Sequence, residues 1–319
     1  MVERWNTSQC QAAAITRAAS KQTYYTIRLL VDRQLVDDAY RAYGYFRWVD
    51  DVLDAQMGGR SEKLAFVNRQ RELLEACYQN DLLPDLCVEE QMLSELVRHD
   101  SGKNPGLRSY LDNMMAVMEF DAERRGRWIS QAELAEYTRA LATAVTDALF
   151  YFIGHDDPPP DHAARYLSVT AAHITHMLRD ACEDAEAGYF NIPSEYLQAH
   201  RMTPQDGGSP GCRKWVCQRV QLARLYFELG SSYLSRVKNL RCRLAGYAYT
   251  ARFEWMLRAI ERDNYCLRSE YTERKSLSAG LWMSWTVLAS LFTSLFGSAR
   301  PNRLAAPTAS IEESSTTSR

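Results

Sequence analysis

The chain has 319 residues, 46% of them hydrophobic and 24% charged, and a net charge of −2. That length holds one large core or two small ones, and no stretch marks a break between two. The near-neutral balance without a lysine- or arginine-rich run argues against a nucleic-acid partner. The eight scattered cysteines, without CxxC spacing, argue against a zinc site or a disulfide framework and read as buried thiols in a reducing cytoplasm. Met1-Val2-Glu3-Arg4-Trp5 does not have the basic-then-apolar form of a secretory signal.

Residues 10–30 carry apolar side chains at helical intervals, and the spacing predicts a helix ending near Leu29-Leu30-Val31. A second helix is expected over 34–56, stopped by Gly58-Gly59. A third starts near Ser61, with Leu64, Phe66, Leu73, Leu74 and Ala76 fitting the period loosely. Asn80-Asp81 and Pro84-Asp85 are turn signals. Helices follow from about Val88 to Arg98 and over 107–125. In the latter, Asp112, Glu119, Asp121 and Glu123 read as the polar side of an amphipathic helix. Ser130-Gln131-Ala132-Glu133 is a capping box ahead of Leu134, Tyr137, Leu141 and Val145. Past Pro158-Pro159-Pro160, Asp161 is placed to cap a helix over 162–187 that Gly188 ends. A loop from Met202 to Gly211 precedes helices expected over Cys212–Leu240 and about 244–272. No period-two alternation bounded by turns occurs, so the fold class is all-α. From Ser276 to Ala299 there is no charge, and Leu277, Leu281, Trp285, Leu288, Leu291, Phe292, Leu295 and Phe296 form a one-sided stripe interrupted by serines and threonines. It reads as a last pocket helix whose end touches the membrane surface rather than a span. The expected organisation is one helical domain over residues 1–298 and a disordered Ser/Thr/Pro-rich tail over 299–319.

Two stretches carry the chemistry. Arg47-Trp48-Val49-Asp50-Asp51-Val52-Leu53-Asp54 and Leu178-Arg179-Asp180-Ala181-Cys182-Glu183-Asp184 each hold aspartates four residues apart on a predicted helix, with an arginine before them. At that spacing the carboxylates share one face. A single such pair is usually a solvated surface. Two pairs in apolar surroundings can instead collect hard divalent cations, which take oxygen ligands and share them with substrate phosphates. That is a site for a diphosphate.

At these residues the chain resembles the squalene/phytoene synthase family of head-to-head prenyl synthases. The first signature stands as Tyr40-Arg41-Ala42-Tyr43-Gly44-Tyr45-Phe46-Arg47-Trp48-Val49-Asp50-Asp51-Val52-Leu53-Asp54. The second is Met177-Leu178-Arg179-Asp180-Ala181-Cys182-Glu183-Asp184-Ala185-Glu186-Ala187-Gly188, followed by Ile192-Pro193-Ser194-Glu195-Tyr196-Leu197. Upstream, Ser20-Lys21-Gln22-Thr23-Tyr24-Tyr25 is similar to a segment that clamps diphosphate. The resemblance implies a single-domain helical bundle around a cavity. It implies Mg²⁺, with Mn²⁺ as a substitute, on Asp50, Asp54, Asp180 and Asp184. It further implies diphosphate held by Ser20, Lys21, Tyr25, Tyr43, Arg47 and Arg179, with Arg268 and Lys275 closing over a second one.

The chain also departs from that pattern. His173 and His176 stand where the family typically has Gln and Asn. His176 keeps to the metal-facing side but offers nitrogen, which suits softer ions than Mg²⁺; it can also bind diphosphate when protonated, or simply pack. Thr143 and Thr146 replace glycines where a helix breaks beside the family's pocket, and Asn191 and Phe253 replace tyrosines. The implied activity is condensation of two C15 or C20 prenyl diphosphates through a cyclopropylcarbinyl diphosphate to a squalene- or phytoene-like product. Its competitors are a terpene synthase cyclising one prenyl diphosphate and a non-catalytic prenyl-binding homologue. The implied partners are a prenyl diphosphate and peripheral membrane lipid, in a cytoplasmic protein. Chain length, NADPH use and oligomeric state stay open.

Overall fold

The computed structural model describes residues 2–55, 58–81 and 84–271. These fold as helices throughout, and among the described residues there is no strand. In chain order the helices are α1 (Val2–Ala19), α2 (Lys21–Leu30), α3 (Val36–Ala55), α4 (Arg60–Gln79), α5 (Val88–His99) and α6 (Gly106–Arg124). They continue as α7 (Gln131–Phe152), α8 (Leu167–Ala187), α9 (Ser194–Ala199), α10 (Pro210–Leu234) and α11 (Leu240–Arg262). Short 3₁₀ turns at Arg33–Leu35 and Ala163–Tyr166 lead into α3 and α8.

The predicted helix over 10–30 is two helices. Ser20 leaves helical geometry and its hydroxyl accepts from the Thr23 N–H, capping α2, so the break is a capping event inside a periodic stretch. Ser130 and Glu133 form the expected capping box. Asp161 does not cap the next helix; His162 Nδ1 accepts from the Ala164 N–H, and a 3₁₀ turn precedes α8. Gly188 ends α8 at φ 88°, a left-handed turn that a side chain would strain. The long helix expected from Cys212 to Leu240 stops at Leu234 and restarts at Leu240, where Asn239 accepts from the Cys242 N–H. α7 runs unbroken through Leu141–Thr146, so threonines in place of glycines keep the helix continuous. Of the cysteines, Cys212 and Cys242 are buried, but Cys10 and Cys87 are exposed, against the expectation that all are buried; none is paired.

One core cluster joins side chains of α3 to α7, including Tyr45, Phe46, Leu93, Leu111, Met115 and Phe150. A second joins α8, α10 and α11 through Ile174, Leu178, Trp215, Phe227, Phe253 and Leu257. The packing of α7 on α8 connects the two. α8 lies tightly on α10 because Gly230 carries no side chain: a Cβ there would stand 2.2 Å from Ser168 Oγ and 2.7 Å from its backbone nitrogen. No described helix is long and apolar enough to cross a membrane. The stripe over 276–299 and the tail lie outside the described residues.

Gly230→Ala should therefore force α8 and α10 apart. Overpacking of this kind costs about 1–3 kcal/mol. The expected outcome is a lower urea midpoint at unchanged slope; an unchanged midpoint would show that the two helices yield freely.

Candidate diphosphate and metal site

α3 presents the first acidic edge. Its buried side, through Ala39, Ala42, Phe46, Val49 and Leu53, fixes the helix on the core. Tyr43, Arg47, Asp50 and Asp54, at intervals of three and four, then fall on one adjoining face. Arg47 donates to Asp50 Oδ2 at 3.1 Å and, through its other terminal nitrogen, to Asp51. Burial pushes the Asp50 carboxyl up to about 6; the charge of Asp54 adds to this and Arg47 opposes it. Asp121 of α6 contributes in the same direction, so three carboxylates from two helices share the space.

The second edge lies on α8 and is neutralised differently. Asp180 accepts from Arg179 Nε at 2.5 Å and from its terminal nitrogen, and stands 3.0 Å from His176 Nε2. Burial opposes ionisation of Asp180, but these hydrogen bonds outweigh it and hold the carboxyl well below its usual range. An ionised carboxylate only accepts, so Nε2 of His176 carries the proton and supports Asp180. Asp184 has weaker support. Burial raises it to about 6, against a hydrogen bond from Asn191 Nδ2 at 2.7 Å and the charge of Arg124.

Arg124 joins the second edge to Asp121 of α6. Only 7% exposed, it donates to Asp121 Oδ1 at 2.6 Å and to Asn191 Oδ1 at 2.7 Å, and Asn191 passes the bond on to Asp184. Its guanidinium lies over the rings of Tyr137 and Tyr189 at 5.0 and 4.9 Å, and the Tyr137 hydroxyl donates to Asp121 Oδ2 at 3.0 Å. Asn191, one of the departures in the sequence, is thus built into the site.

Sequence reasoning missed Asp121, Arg124, Tyr137 and Tyr189. The signal was present: Asp121 and Arg124 continue the line of Tyr110, Met114 and Val117 at three- and four-residue steps, so two charges extend an apolar stripe. Lys63 of α4 was also missed. It is 2% exposed, its Nζ has no hydrogen-bond partner, and burial and the charge of Arg125 lower its pKa while Asp54 and Asp121 oppose that.

Ser20 is occupied as the cap of α2, accepting from the Thr23 hydroxyl as well at 2.9 Å. Lys21 and Tyr25 point outward from α2 as exposed side chains. Tyr43 is partly buried, which raises its pKa, and Arg47, Thr23 and Arg252 lie beside it. Arg268 donates to Asp263 at 2.5 Å and covers the Tyr271 ring. Lys275 lies outside the described residues. His173 is buried with neither ring nitrogen bonded, edge-on to Tyr137. Burial, then the charge of His176, takes its pKa down to about 3, so the ring is neutral at any working pH.

Among the described residues no three His, Cys, Asp or Glu side chains converge closely enough to hold an ion unaided. The donors fit Mg²⁺ nevertheless. They are hard carboxylate oxygens, and two of the carboxyls are raised to about 6 in surroundings that include other carboxylates. Mg²⁺ commonly takes one or two carboxylates and completes its shell with water and substrate phosphate.

Residues 16–279 match the model of the squalene/phytoene synthase family. Presqualene diphosphate synthases are similar: that of Rhodopseudomonas palustris is 26% identical over 196 residues, 61% of this chain and 67% of that protein. That of Zymomonas mobilis is 26% identical over 186 residues, 58% of this chain and 60% of that protein. Among solved structures, a dehydrosqualene synthase superposes with a TM-score of 0.71 at 15% identity, covering 91% of this chain and 99% of that one. Squalene synthase HpnC of Alicyclobacillus acidocaldarius gives 0.64 at 18%, covering 84% and 98%. At such identities these two structures establish the fold.

The raised carboxyls have a consequence for the metal-free protein. Asp50 and Asp184 bind protons more tightly folded than unfolded, so between the ordinary carboxylate pKa and about 6 their contribution to stability falls as pH rises. Melting temperature in a chelator should decline across that window. Asp50→Asn with Asp184→Asn should flatten the decline, whereas an equally steep profile in the double variant would place its origin elsewhere.

Proposed function

The chain belongs to the squalene/phytoene synthase family, and from that premise we propose that it is a Mg²⁺-dependent prenyltransferase joining two C15 or C20 prenyl diphosphates head to head. The observation that carries the reading is the two aspartate edges, in each of which one carboxyl, Asp50 on α3 and Asp184 on α8, is raised to about 6 by burial beside a second aspartate. Bound Mg²⁺ would supply Lewis-acid charge to the departing diphosphate. Asp50 and Asp54 on one side, and Asp180 and Asp184 on the other, would hold it. Arg47, beside Asp50, and Arg179, beside Asp180, can donate in pairs to phosphate oxygens. Tyr43 borders the site beside Arg47.

Ionisation breaks the C1–O bond of one substrate, giving an allylic cation and inorganic diphosphate. C1 of that cation adds across the C2–C3 double bond of the second substrate, and loss of a proton closes a cyclopropane that keeps the second diphosphate. The names of the similar proteins support release at this stage, as a presqualene-type diphosphate. A second reading, cyclisation of a single prenyl diphosphate, draws on the unbroken α7, whose buried Thr146 carries a hydroxyl without a partner.

Incubation with C15 or C20 diphosphate and Mg²⁺, with and without NADPH, separates these readings. The expected product is a cyclopropylcarbinyl diphosphate of doubled chain length that NADPH does not alter; a cyclic product of single length would select the second reading. Asp54→Ala and Asp184→Ala should each lower turnover by a factor of roughly 10²–10³, the scale for losing a group that stabilises leaving-group charge. Near-parental turnover in either folded variant would sink the metal assignment. Asp51→Asn should be milder, since Asp51 is turned ~100° from Asp50 and acts only by holding Arg47.

His176 gives a further check. Because Nε2 donates to Asp180, His176→Asn should leave the preference for Mg²⁺ over Mn²⁺ or Co²⁺ unchanged while weakening the apparent affinity for metal. A shift of preference toward Mg²⁺ in the variant would mean that the ring is itself a ligand.

A further inference from the structure

Large apolar side chains that stand open in this structure include Tyr25, Leu29 and Leu240, at 51%, 69% and 41% exposed. Tyr25 and Leu29 are four residues apart on α2 and share one helical face. α2 lies beside α11. Arg252 donates to Gln22 Oε1 at 3.1 Å, and Arg241 donates to the Leu30 carbonyl at 3.2 Å and to Asp32. Leu240, adjacent to Arg241, therefore stands next to the end of α2 that bears Leu29.

Charge is skewed at the same place. Residues 17–36 contain Arg17, Lys21, Arg28 and Arg33 against Asp32 alone, and Asp32 is already engaged by Arg241. Residues 232–253 contain Arg236, Lys238, Arg241, Arg243 and Arg252 and no carboxylate. Asp37, Asp38 and Glu254 border these stretches and Asn239 holds Asp157, so nine bases stand against five acids here, an excess in a chain of net charge −2. Arg17, Lys21, Arg28, Arg33, Arg236 and Lys238 are all exposed. Scattered exposed leucines alone would need no explanation. Large apolar side chains set among exposed bases are the pattern of a surface that lies on lipid.

We propose that α2 and the amino-terminal part of α11 form the face on which this protein rests on an anionic lipid bilayer. Tyr25, Leu29 and Leu240 enter the headgroup layer, and the surrounding bases pair with lipid phosphates. The same helices border the diphosphate site, since Thr23 and Arg252 lie beside Tyr43. A molecule with an apolar tail and a charged head, dissolved in that bilayer, meets the site from this side.

The test is co-flotation of the purified full chain with vesicles of phosphatidylcholine alone and of phosphatidylcholine mixed with phosphatidylglycerol. The parent should float with the mixed vesicles, not with the neutral ones, and high salt should release it. Leu29→Ser with Leu240→Ser should weaken association about tenfold, the scale of withdrawing two partly inserted leucines. Arg28→Glu with Lys238→Glu should abolish the preference for anionic lipid. These side chains are exposed, so both variants should melt like the parent. Absence of vesicle binding by the parent overturns the proposal. So does parental binding by both variants, or release by Leu291, Phe292, Leu295 and Phe296→Ser while the Leu29/Leu240 variant still floats. The readout is lipid association and not turnover, so its failure leaves the reading of the acidic site standing.

Discussion

A buried guanidinium governs this site. Arg124 sits where α6 ends, nearly out of solvent, and divides its hydrogen bonds between Asp121 and Asn191. A charge so placed is costly unless its donors are met. Meeting them fixes the positions of α6 and of the loop after α8, with Tyr137 and Tyr189 packed on its faces. Because Asn191 in turn binds Asp184, the second acidic edge takes its position from the same arginine. Removing the guanidinium would leave Asp121 Oδ1 and Asn191 Oδ1 without these donors in a low-dielectric space, so substitution here would disturb the site before it touched any substrate.

The two edges differ in what they still lack. Asp180 is satisfied twice over, by Arg179 and His176, whereas Asp50 and Asp184 are held by burial and neighbouring charge in a state that resists ionisation. On α8, then, the two aspartates differ: Asp180 pairs with Arg179 and His176, and Asp184, one turn on, accepts from Asn191. On α3 the pairing of Arg47 with both Asp50 and Asp51 leaves Asp54 as the carboxylate without a protein partner among the bonds described.

Much of this was legible in the sequence, for definite reasons. Helix periodicity and capping residues gave the all-α class and most boundaries, because amphipathic spacing is a local property. The boundaries that moved did so where a side chain captured a backbone N–H: Ser20 splitting the first helix, His162 displacing Asp161, Asn239 restarting α11. The aspartate pairs could be read because their chemistry lies within a single helical turn. Arg124, Asn191 and Lys63 could not be assigned, since their roles depend on which helices meet. Asp121 was in view but read as surface, because the apolar stripe that it extends only becomes an interior line once α7 covers it.

His173 and Lys63 show the same trade from the side of stability. Each is buried with polar atoms that find no partner in the protein, a condition that costs about 1–3 kcal/mol per group. Along α3, the opposite end has no such debt: Arg41 meets Asp38 and Glu95, and Ser8 completes Glu95. Those groups and Asp50–Asp54 are separated by about a dozen residues of one helix, some ~18 Å at ~1.5 Å per residue. One end of the helix is thus closed by internal pairing, and the other keeps carboxylates and, beside Asp54, a lysine whose pairing is incomplete. Incomplete pairing beside several carboxylates is stable only if the remainder of the fold supplies the difference. In this chain that remainder is the dense packing of α3 through α7 behind the acidic face, which holds these incompletely paired groups in place.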